Sequence, residues 1–343
     1  MNYSITQYLL LGAVALVYVG LITGPMRKIA IRFNAVDAPD MARKIQKEPV
    51  PYLGGVAIAV GVVITSYVAL VARDFSLKSI GLASSVLIPA LLISAMGLWD
   101  DLRGLQPWPR LIAQTSVGTA MALILIATDT MGIALGNQFL NAAVSIVWIV
   151  GITNSINFFD NLDGGAAGTV AIASFFLFVI ANSEGQVLVS ALAIVVSGAT
   201  AGFLLWNKSP AKIYMGDAGA LFLGIVMGVL TIRLDPGITP KYLSLAIPIA
   251  LLAVPILDTT VAVTSRLNRG ISPFTGGRDH LSHRLMRIGM HRKYAAITLW
   301  VGSGVYGLLA YVIYQSQNSL YAIIAGAGWL ALLVFFLRIP SSD

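Results

Sequence analysis

Two acidic motifs at the ends of long apolar runs are the clearest candidates for chemistry in this 343-residue chain. Asp100 and Asp101 close one run, at a helix end where the helix dipole disfavours two negative charges. Asp217 lies between glycines in Met215-Gly-Asp-Ala-Gly219, just before another run. A bound cation or a proton-transfer role would offset the cost at the acid pair, and the glycines suggest a phosphate-sized concavity around Asp217. Solvated carboxylates and an ordinary helix N-cap are the alternatives.

A third polar motif ends another apolar run, where Asn154, Asn157, Asp160 and Asp163 recur at every third residue before Gly164-Gly165. Steps of three residues drift by about 60° around a helix, so the four groups cannot all converge on one face. The glycine pair lets the backbone break and gather the last groups at one rim. Because polar groups beside a membrane-length run are costly without partners, a functional site is favoured over an ordinary polar turn.

A long basic loop at residues 266–294 contains all three histidines of the chain. His280 and His283 are spaced as in a metal site, but no third ligand of zinc spacing accompanies them. With Arg278 alongside, a clamp for phosphate anions is the better interpretation, and a basic surface on anionic lipid is the alternative. We expect replacement of Arg292, which lies outside the motif, to have only a mild effect.

The elements that position these motifs are predicted to be transmembrane helices. The chain is 57% hydrophobic and 11% charged, with mean hydropathy +0.83, which excludes a water-soluble enzyme, a disordered chain and a fibrous repeat. Its apolar runs do not alternate with polar residues, which excludes a β-barrel. The absence of cysteine excludes disulfides and thiolate metal sites. We therefore predict an all-α, polytopic membrane protein with a single membrane-embedded domain over residues 1–343.

The run lengths predict about eleven transmembrane helices with short loops. The segments are 7–26, 53–72, 80–98, 110–128, 139–156, 166–182, 187–206, 218–234, 243–264, 295–315 and 319–338. Most Lys and Arg residues then lie on one side, which predicts an N-terminus outside, a cytoplasmic C-terminus and a cytoplasmic face that holds every motif above. The same bias explains the net charge of +7 without a nucleic-acid partner.

Acids able to hold a hard cation and bases able to hold phosphates, on one membrane face, favour phosphoryl transfer to a membrane-held acceptor. At this level of detail the chain resembles the polyprenyl-phosphate N-acetylhexosamine-1-phosphate transferase superfamily, in particular its N-acetylglucosamine (GlcNAc) branch. The resemblance rests on five ordered motifs: Arg43-Lys-Ile-Gln-Lys-Glu-Pro-Val-Pro-Tyr-Leu-Gly-Gly55, Asp100-Asp101, Asn157-Phe-Phe-Asp-Asn-Leu-Asp-Gly164, Met215-Gly-Asp-Ala-Gly219 and Ser272-Pro-Phe-Thr-Gly-Gly-Arg-Asp-His-Leu-Ser-His-Arg284.

The resemblance implies transfer of GlcNAc-1-phosphate from UDP-GlcNAc to a polyprenyl phosphate, with release of UMP, as the first step of a cell-envelope glycan. It also implies Mg²⁺, or Mn²⁺ in its place, and an inner-membrane enzyme with a cytoplasmic active site. It assigns metal ligation to Asp217 and Asn157, catalysis to Asp100, Asp101 and Asp160, uridine contact to Asp163, and phosphate contact to Lys47, Arg278, His280 and His283. A homodimer is left open.

Two departures from the family pattern bear on the substrate. Gln46 stands where family members usually carry His, and the interrupted run His280-Leu-Ser-His283 argues against the peptidoglycan branch, as does an eleventh segment. Transfer of phospho-MurNAc-pentapeptide, or use of another UDP-HexNAc, remains an alternative. A secondary transporter is the alternative from another class, but it would be favoured by paired intramembrane acids in symmetry-related halves, and none are seen.

Overall fold

A computed structural model describes residues 3–37, 49–73 and 76–340. The helices are α1 (Ile5–Arg32), α2 (Gly54–Arg73), α3 (Leu77–Arg103), α4 (Pro107–Ala127), α5 (Gln138–Phe159), α6 (Gly165–Ser183), α7 (Val187–Asn207), α8 (Gly216–Arg233), α9 (Lys241–Leu251), α10 (Ala253–Asn268), α11 (Leu281–Arg287), α12 (Arg292–Ser316) and α13 (Ser319–Arg338). A two-stranded antiparallel ladder, which the sequence did not predict, pairs β1 (Val36–Asp37) with β2 (Val50–Pro51). The prediction of a multi-pass helical membrane protein is confirmed.

The predicted ninth segment is not one straight helix. Ten of the described helices are long and apolar enough to cross a membrane, and α9 with α10 supplies an eleventh span if this pair, bent by 76°, counts as one. The bend follows from sequence, because Pro255 has no N–H with which to bond the carbonyl group of Leu251. Pro248, inside α9, removes a second helical hydrogen bond.

Helix α8 is the central helix of the bundle. It is apolar around its whole circumference, the pattern of a helix enclosed on all sides, and nearly all its residues are buried. Helices α3, α5 and α2 pack directly on it. At the other extreme, α1 and α13 leave most of their apolar side chains exposed, as helices facing lipid do. The first residues of α8, which include Asp217, are therefore held from three sides.

Glycines allow the backbones around Asp217 to approach closely. A Cβ atom on Gly97 of α3 would lie 2.6 Å from the Asp217 carbonyl carbon and oxygen, and one on Gly55 of α2 would lie 2.1 Å from the Gly219 nitrogen. Gly216 has φ +68°, a left-handed conformation that favours glycine. The glycines around Asp217 thus serve helix packing and a turn, and the phosphate-sized concavity that the sequence suggested stays a prediction.

We expect Gly97→Ala to destabilise the protein and to reduce its activity, since the new methyl group must displace the backbone of Asp217. Overpacking of this kind costs about 1–3 kcal/mol. The control is Gly151→Ala in α5, where a Cβ atom meets nothing within 4 Å and the helix should be slightly stabilised. Thermal unfolding of the two purified variants in detergent measures the difference. Equal stability of the two would contradict the close crossing at Gly97.

Candidate active site

A cavity of about 510 Å³ opens where α5 ends and α8 begins, beneath the loop between α10 and α11. The two ends meet there because α5 and α8 run side by side. The lining includes seven of the site residues that the sequence predicted: Asp101, Asn157, Asp160, Asp163, Asp217, His280 and His283. Motifs separated by up to 182 positions along the chain, from Asp101 to His283, therefore face one space.

Asp101 caps a helix that is distant from it in sequence. Its Oδ1 accepts a hydrogen bond from the Asp217 amide at 3.0 Å, and its Oδ2 accepts one from the Ala218 amide at 3.2 Å. The first N–H groups of a helix have no partner inside the helix, and the positive end of the dipole favours a carboxylate there. The dipole of α8 therefore compensates an acid that the dipole of its own helix disfavours.

The Asp217 side chain does not cap its own helix. Its Oδ1 accepts a hydrogen bond from Asn157 Nδ2 at 2.8 Å, and its Oδ2 accepts one from Arg110 Nη1 at 2.9 Å. The two predicted metal ligands are thus adjacent, although α5 and α8 supply them separately. The N-cap interpretation of Asp217 is replaced by a carboxylate that faces the cavity.

Asp100 points away from the cavity, although it neighbours Asp101. One oxygen accepts a hydrogen bond from the Leu105 amide at 2.5 Å, and the other is paired with Arg110. Both partners are close to Asp100 in the sequence, so the two bonds hold the turn between α3 and α4. The assignment of Asp100 as a catalytic base stays a prediction, and in this geometry the carboxylate is not among the lining groups.

The motif at the end of α5 divides as the helix geometry requires. Asp160 is the C-terminal cap of α5, and Asp163 accepts a hydrogen bond from the Ala211 amide at 3.2 Å. Gly164, with φ +71°, breaks the chain before α6. Asn154 lies outside the cavity lining and donates to Gln114 Oε1 at 2.6 Å. Burial, together with the negative charges of Asp217 and Asp163, raises the pKa of Asp160 to about 7.

His280 is held by a buried network. Its Nδ1 lies 2.7 Å from Asp258 Oδ2, and its Nε2 lies 3.2 Å from Arg266 Nη2. Since the guanidinium group can only donate, we assign Nε2 as the acceptor and Nδ1–H as the donor to Asp258. Asp258 also accepts a hydrogen bond from the Leu281 amide at 2.7 Å. This intramembrane acid therefore orients a cavity residue through a contact within the protein.

The basic loop is partly helical and is fastened to neighbouring elements by arginines. Arg266 donates to Asp279 Oδ2 at 2.9 Å and to the Pro273 carbonyl at 2.8 Å. Arg284, in α11, is buried and donates to the Phe336 carbonyl at the end of α13 at 2.6 Å. These two arginines support the loop and do not line the cavity, a division that the charge pattern alone could not reveal.

The predicted phosphate contacts have different positions. His283 lines the cavity with His280, whereas Arg278 lies in the same loop outside the lining. Arg292 lies outside the motif but does line the cavity, so the expected mild effect of its replacement stays a prediction and the position gives reason to test it. Its position at the first residue of α12, next to the histidines in space but not in the motif, gave no sequence signal. Lys47 lies outside the described residues.

Comparisons with known proteins agree with the geometry. The family profile of glycosyl transferase family 4 matches residues 83–235, the region that contains the acid pair, the α5 motif and Asp217. A protein of Bacillus subtilis named probable undecaprenyl-phosphate N-acetylglucosaminyl 1-phosphate transferase is 32% identical over 95% of this chain and 87% of its own length. The chain belongs to glycosyl transferase family 4.

Two further relatives differ in the transfer that their names specify. The decaprenyl-phosphate N-acetylglucosaminephosphotransferase of Mycolicibacterium smegmatis is 30% identical over 96% of this chain and 87% of its own length. The phospho-N-acetylmuramoyl-pentapeptide-transferase of Levilactobacillus brevis is 28% identical over 77% of this chain and 86% of its own length. This family 4 member thus resembles GlcNAc-phosphate transferases over more of its length than it does the pentapeptide transferase.

The cavity of this family 4 protein is strongly acidic. Among the described residues that line it are five aspartates, Asp37, Asp101, Asp160, Asp163 and Asp217, but one permanent cation, Arg292. No three carboxylate or histidine groups of the described residues are close enough to hold a metal by themselves. Mg²⁺ typically takes one or two carboxylates and completes its shell with water and substrate phosphates. The oxygen ligands of Asp217 and Asn157 in this acidic surrounding fit such an ion.

We expect His283 to stay uncharged well below the pH at which an ordinary histidine is protonated. Burial, with His280 and Arg278 nearby, lowers the pKa of His283 to about 4, while Asp258 and Asp279 oppose this. The unfolded chain takes up a proton near pH 6.5 and the folded chain does not, so stability should fall as the pH drops from about 6.5 to about 4.

Thermal unfolding of wild type and His283→Gln between pH 7.5 and 5 measures this effect. The wild type should lose more stability than His283→Gln on acidification, because the glutamine has no proton to bind. His291→Gln, at an exposed position, should behave as the wild type does. Parallel losses in wild type and His283→Gln would show that the buried ring is not held neutral.

Proposed function

We propose that this protein transfers GlcNAc-1-phosphate from UDP-GlcNAc to a polyprenyl phosphate in the membrane. The observation that carries the proposal is the single acidic cavity at the ends of spanning helices, which joins all the described family motifs. Relatives whose names specify this transfer match more than nine-tenths of the chain. A cavity between helix ends can receive a water-soluble nucleotide from one side and a lipid phosphate from the membrane.

The proposed reaction is a single displacement at phosphorus. An oxygen of the polyprenyl phosphate attacks the β-phosphorus of UDP-GlcNAc, the bond from that phosphorus to the bridging oxygen breaks, and UMP leaves with the bonding electron pair. A phosphate monoester is mostly ionised near neutral pH, because its second pKa is about 6. The acceptor therefore needs little help from a base, which agrees with an Asp100 carboxylate turned away from the cavity.

Several of the lining residues have a proposed task. Asp217 and Asn157 hold Mg²⁺, whose charge neutralises the pyrophosphate and the leaving UMP. Asp101 fixes the start of α8 and so the position of Asp217. Asp163, at the rim of the cavity, faces the uridine, and His283 contacts phosphate oxygens as a neutral group, next to His280, whose ring nitrogens are already engaged by Asp258 and Arg266. Arg292 adds the charge that the sequence had assigned to Arg278.

The membrane side of the reaction is also a proposal. We infer that the cavity opens on the cytoplasmic side of the inner membrane, because the loops at that end of the bundle carry most of the Lys and Arg residues. The N-terminus would then lie outside and the C-terminus inside. UDP-sugars are charged and do not cross the bilayer unaided, so a donor made in the cytoplasm reaches only this side.

Purified protein in detergent, incubated with a polyprenyl phosphate, Mg²⁺ and one donor at a time, tests the substrate. We expect UMP release to be at least about tenfold faster with UDP-GlcNAc than with UDP-GalNAc or UDP-MurNAc-pentapeptide, a difference of about 1.4 kcal/mol in the transition state. The pentapeptide relative makes the last donor the strongest competitor. Preferential release from UDP-MurNAc-pentapeptide would replace the proposed donor.

We expect Asp217→Asn to lower UMP release by at least about 100-fold while protein yield stays near that of the wild type, because phosphate charges lose their neutralising ion. Excess EDTA should abolish wild-type activity, and added Mg²⁺ or Mn²⁺ should restore it. Asp129→Asn, in a loop at the other end of the bundle, is the matched control and should be nearly silent. Near-normal turnover by Asp217→Asn would remove Asp217 from the metal site.

A further inference from the structure

Arg110 joins two acids that belong to different helices. It lies in the first turn of α4, and its Nη1 contacts Asp100 Oδ2 at the end of α3 and Asp217 Oδ2 at the start of α8, the latter at 2.9 Å. The side chains of Arg110 and Asp217 are about one-quarter exposed, at 27% and 28%, while that of Asp100 is 7% exposed. The arginine is thus anchored on a buried acid and reaches toward the cavity.

The location of this cation is unfavourable without its partners. The N-terminal turn of a helix carries partial positive charge, so an arginine there is disfavoured. No motif singled out from the sequence contains Arg110, and it does not line the cavity. Its two carboxylate contacts supply the compensation, and they in turn relieve repulsion between Asp100 and Asp217.

We infer that Arg110 is a built-in counter-ion that occupies the Asp217 carboxylate in the metal-free protein and withdraws when the divalent cation binds. The inference rests on the metal site of the proposed function. It extends that site to a residue whose charge opposes metal binding and so sets the metal affinity. Arg110 is a positioning residue, since it acts through Asp217.

The geometry makes the two cations competitors. An ion bound to Asp217 would sit about 2.0–2.1 Å from a carboxylate oxygen. Nη1 of Arg110 now lies 2.9 Å from Asp217 Oδ2, and Asn157 Nδ2 lies 2.8 Å from Oδ1, so both oxygens are engaged. A divalent ion and a guanidinium group that bind the same carboxylate would lie within a few ångströms of each other, and their positive charges would repel. The partly exposed arginine can turn to water and keep Asp100, whereas Asp217 is fixed by the helix start.

Removal of the charge should therefore strengthen metal binding and lower the thermal stability of the metal-free protein. With substrates absent, Mn²⁺ titration followed by electron paramagnetic resonance should show at least about tenfold tighter binding to Arg110→Met than to wild type. In EDTA, Arg110→Met should unfold at a lower temperature than wild type, and Mn²⁺ should raise its unfolding temperature by more. Arg103→Met is the control, because Arg103 is exposed and contacts the Trp99 ring instead, and it should match the wild type in both measurements.

Unchanged or weaker Mn²⁺ binding by Arg110→Met would overturn the inference, as would equal Mn²⁺ binding by wild type and Asp217→Asn. If Arg110→Met cannot be purified, Arg110→Lys replaces it: a single ammonium group spans the two acids less well, so binding should tighten, by less than in Arg110→Met. No tightening in Arg110→Lys would overturn the inference equally. Tighter Mn²⁺ binding without UMP release from UDP-GlcNAc would sustain the inference and reject the proposed donor, which separates the two claims.

Discussion

The hydrogen bonds from the first amides of α8 to the Asp101 carboxylate are the contact on which the rest of the site depends. They join the end of α3 to the start of the most buried helix in the bundle. For the Asp101 carboxylate, the helix dipole is favourable at the start of α8 and unfavourable at the end of α3. Asp217 is the residue whose amide is held, so its carboxylate can face the cavity only while Asp101 stays in place. Gly97 permits the close approach that this requires.

A second set of contacts holds the opposite wall of the cavity. The chain from Asp258 through His280 to Arg266 and Asp279 is buried, and every member has a partner. Buried charges are tolerated only when they are paired in this way, and loss of one member leaves another uncompensated. Through Arg284 the same wall is tied to the end of α13, the last helix in the chain. Arg266 and Arg284 thus have structural partners, although they belong to a loop that the sequence predicted to be a phosphate clamp.

Hydropathy predicted the helices well, because every spanning helix must satisfy its own backbone within the membrane. It did not show the bend at Leu252, because Pro248 and Pro255 break the helical hydrogen bonds there without lowering the hydropathy of the segment. The acid motifs were correctly expected to meet, but the spacing could not tell which carboxylates face the cavity. Asp100 and Asp101 are adjacent, yet one turns to Arg110 and the other to α8. That choice depends on helices far apart in sequence.

The charge of the cavity has a consequence for the order of events in the proposed reaction. Five lining aspartates face two anionic substrates, so an empty site repels both unless positive charge accompanies them. Arg292 alone cannot supply enough, and Arg110 is bound to the acids themselves. In the proposed reaction a divalent cation held by Asp217 and Asn157 would supply the missing positive charge, and Arg110 would have to leave the Asp217 carboxylate for it. Without such an ion the acidic lining would oppose rebinding of the nucleotide product, and Arg110 would again be the group that compensates the Asp217 carboxylate.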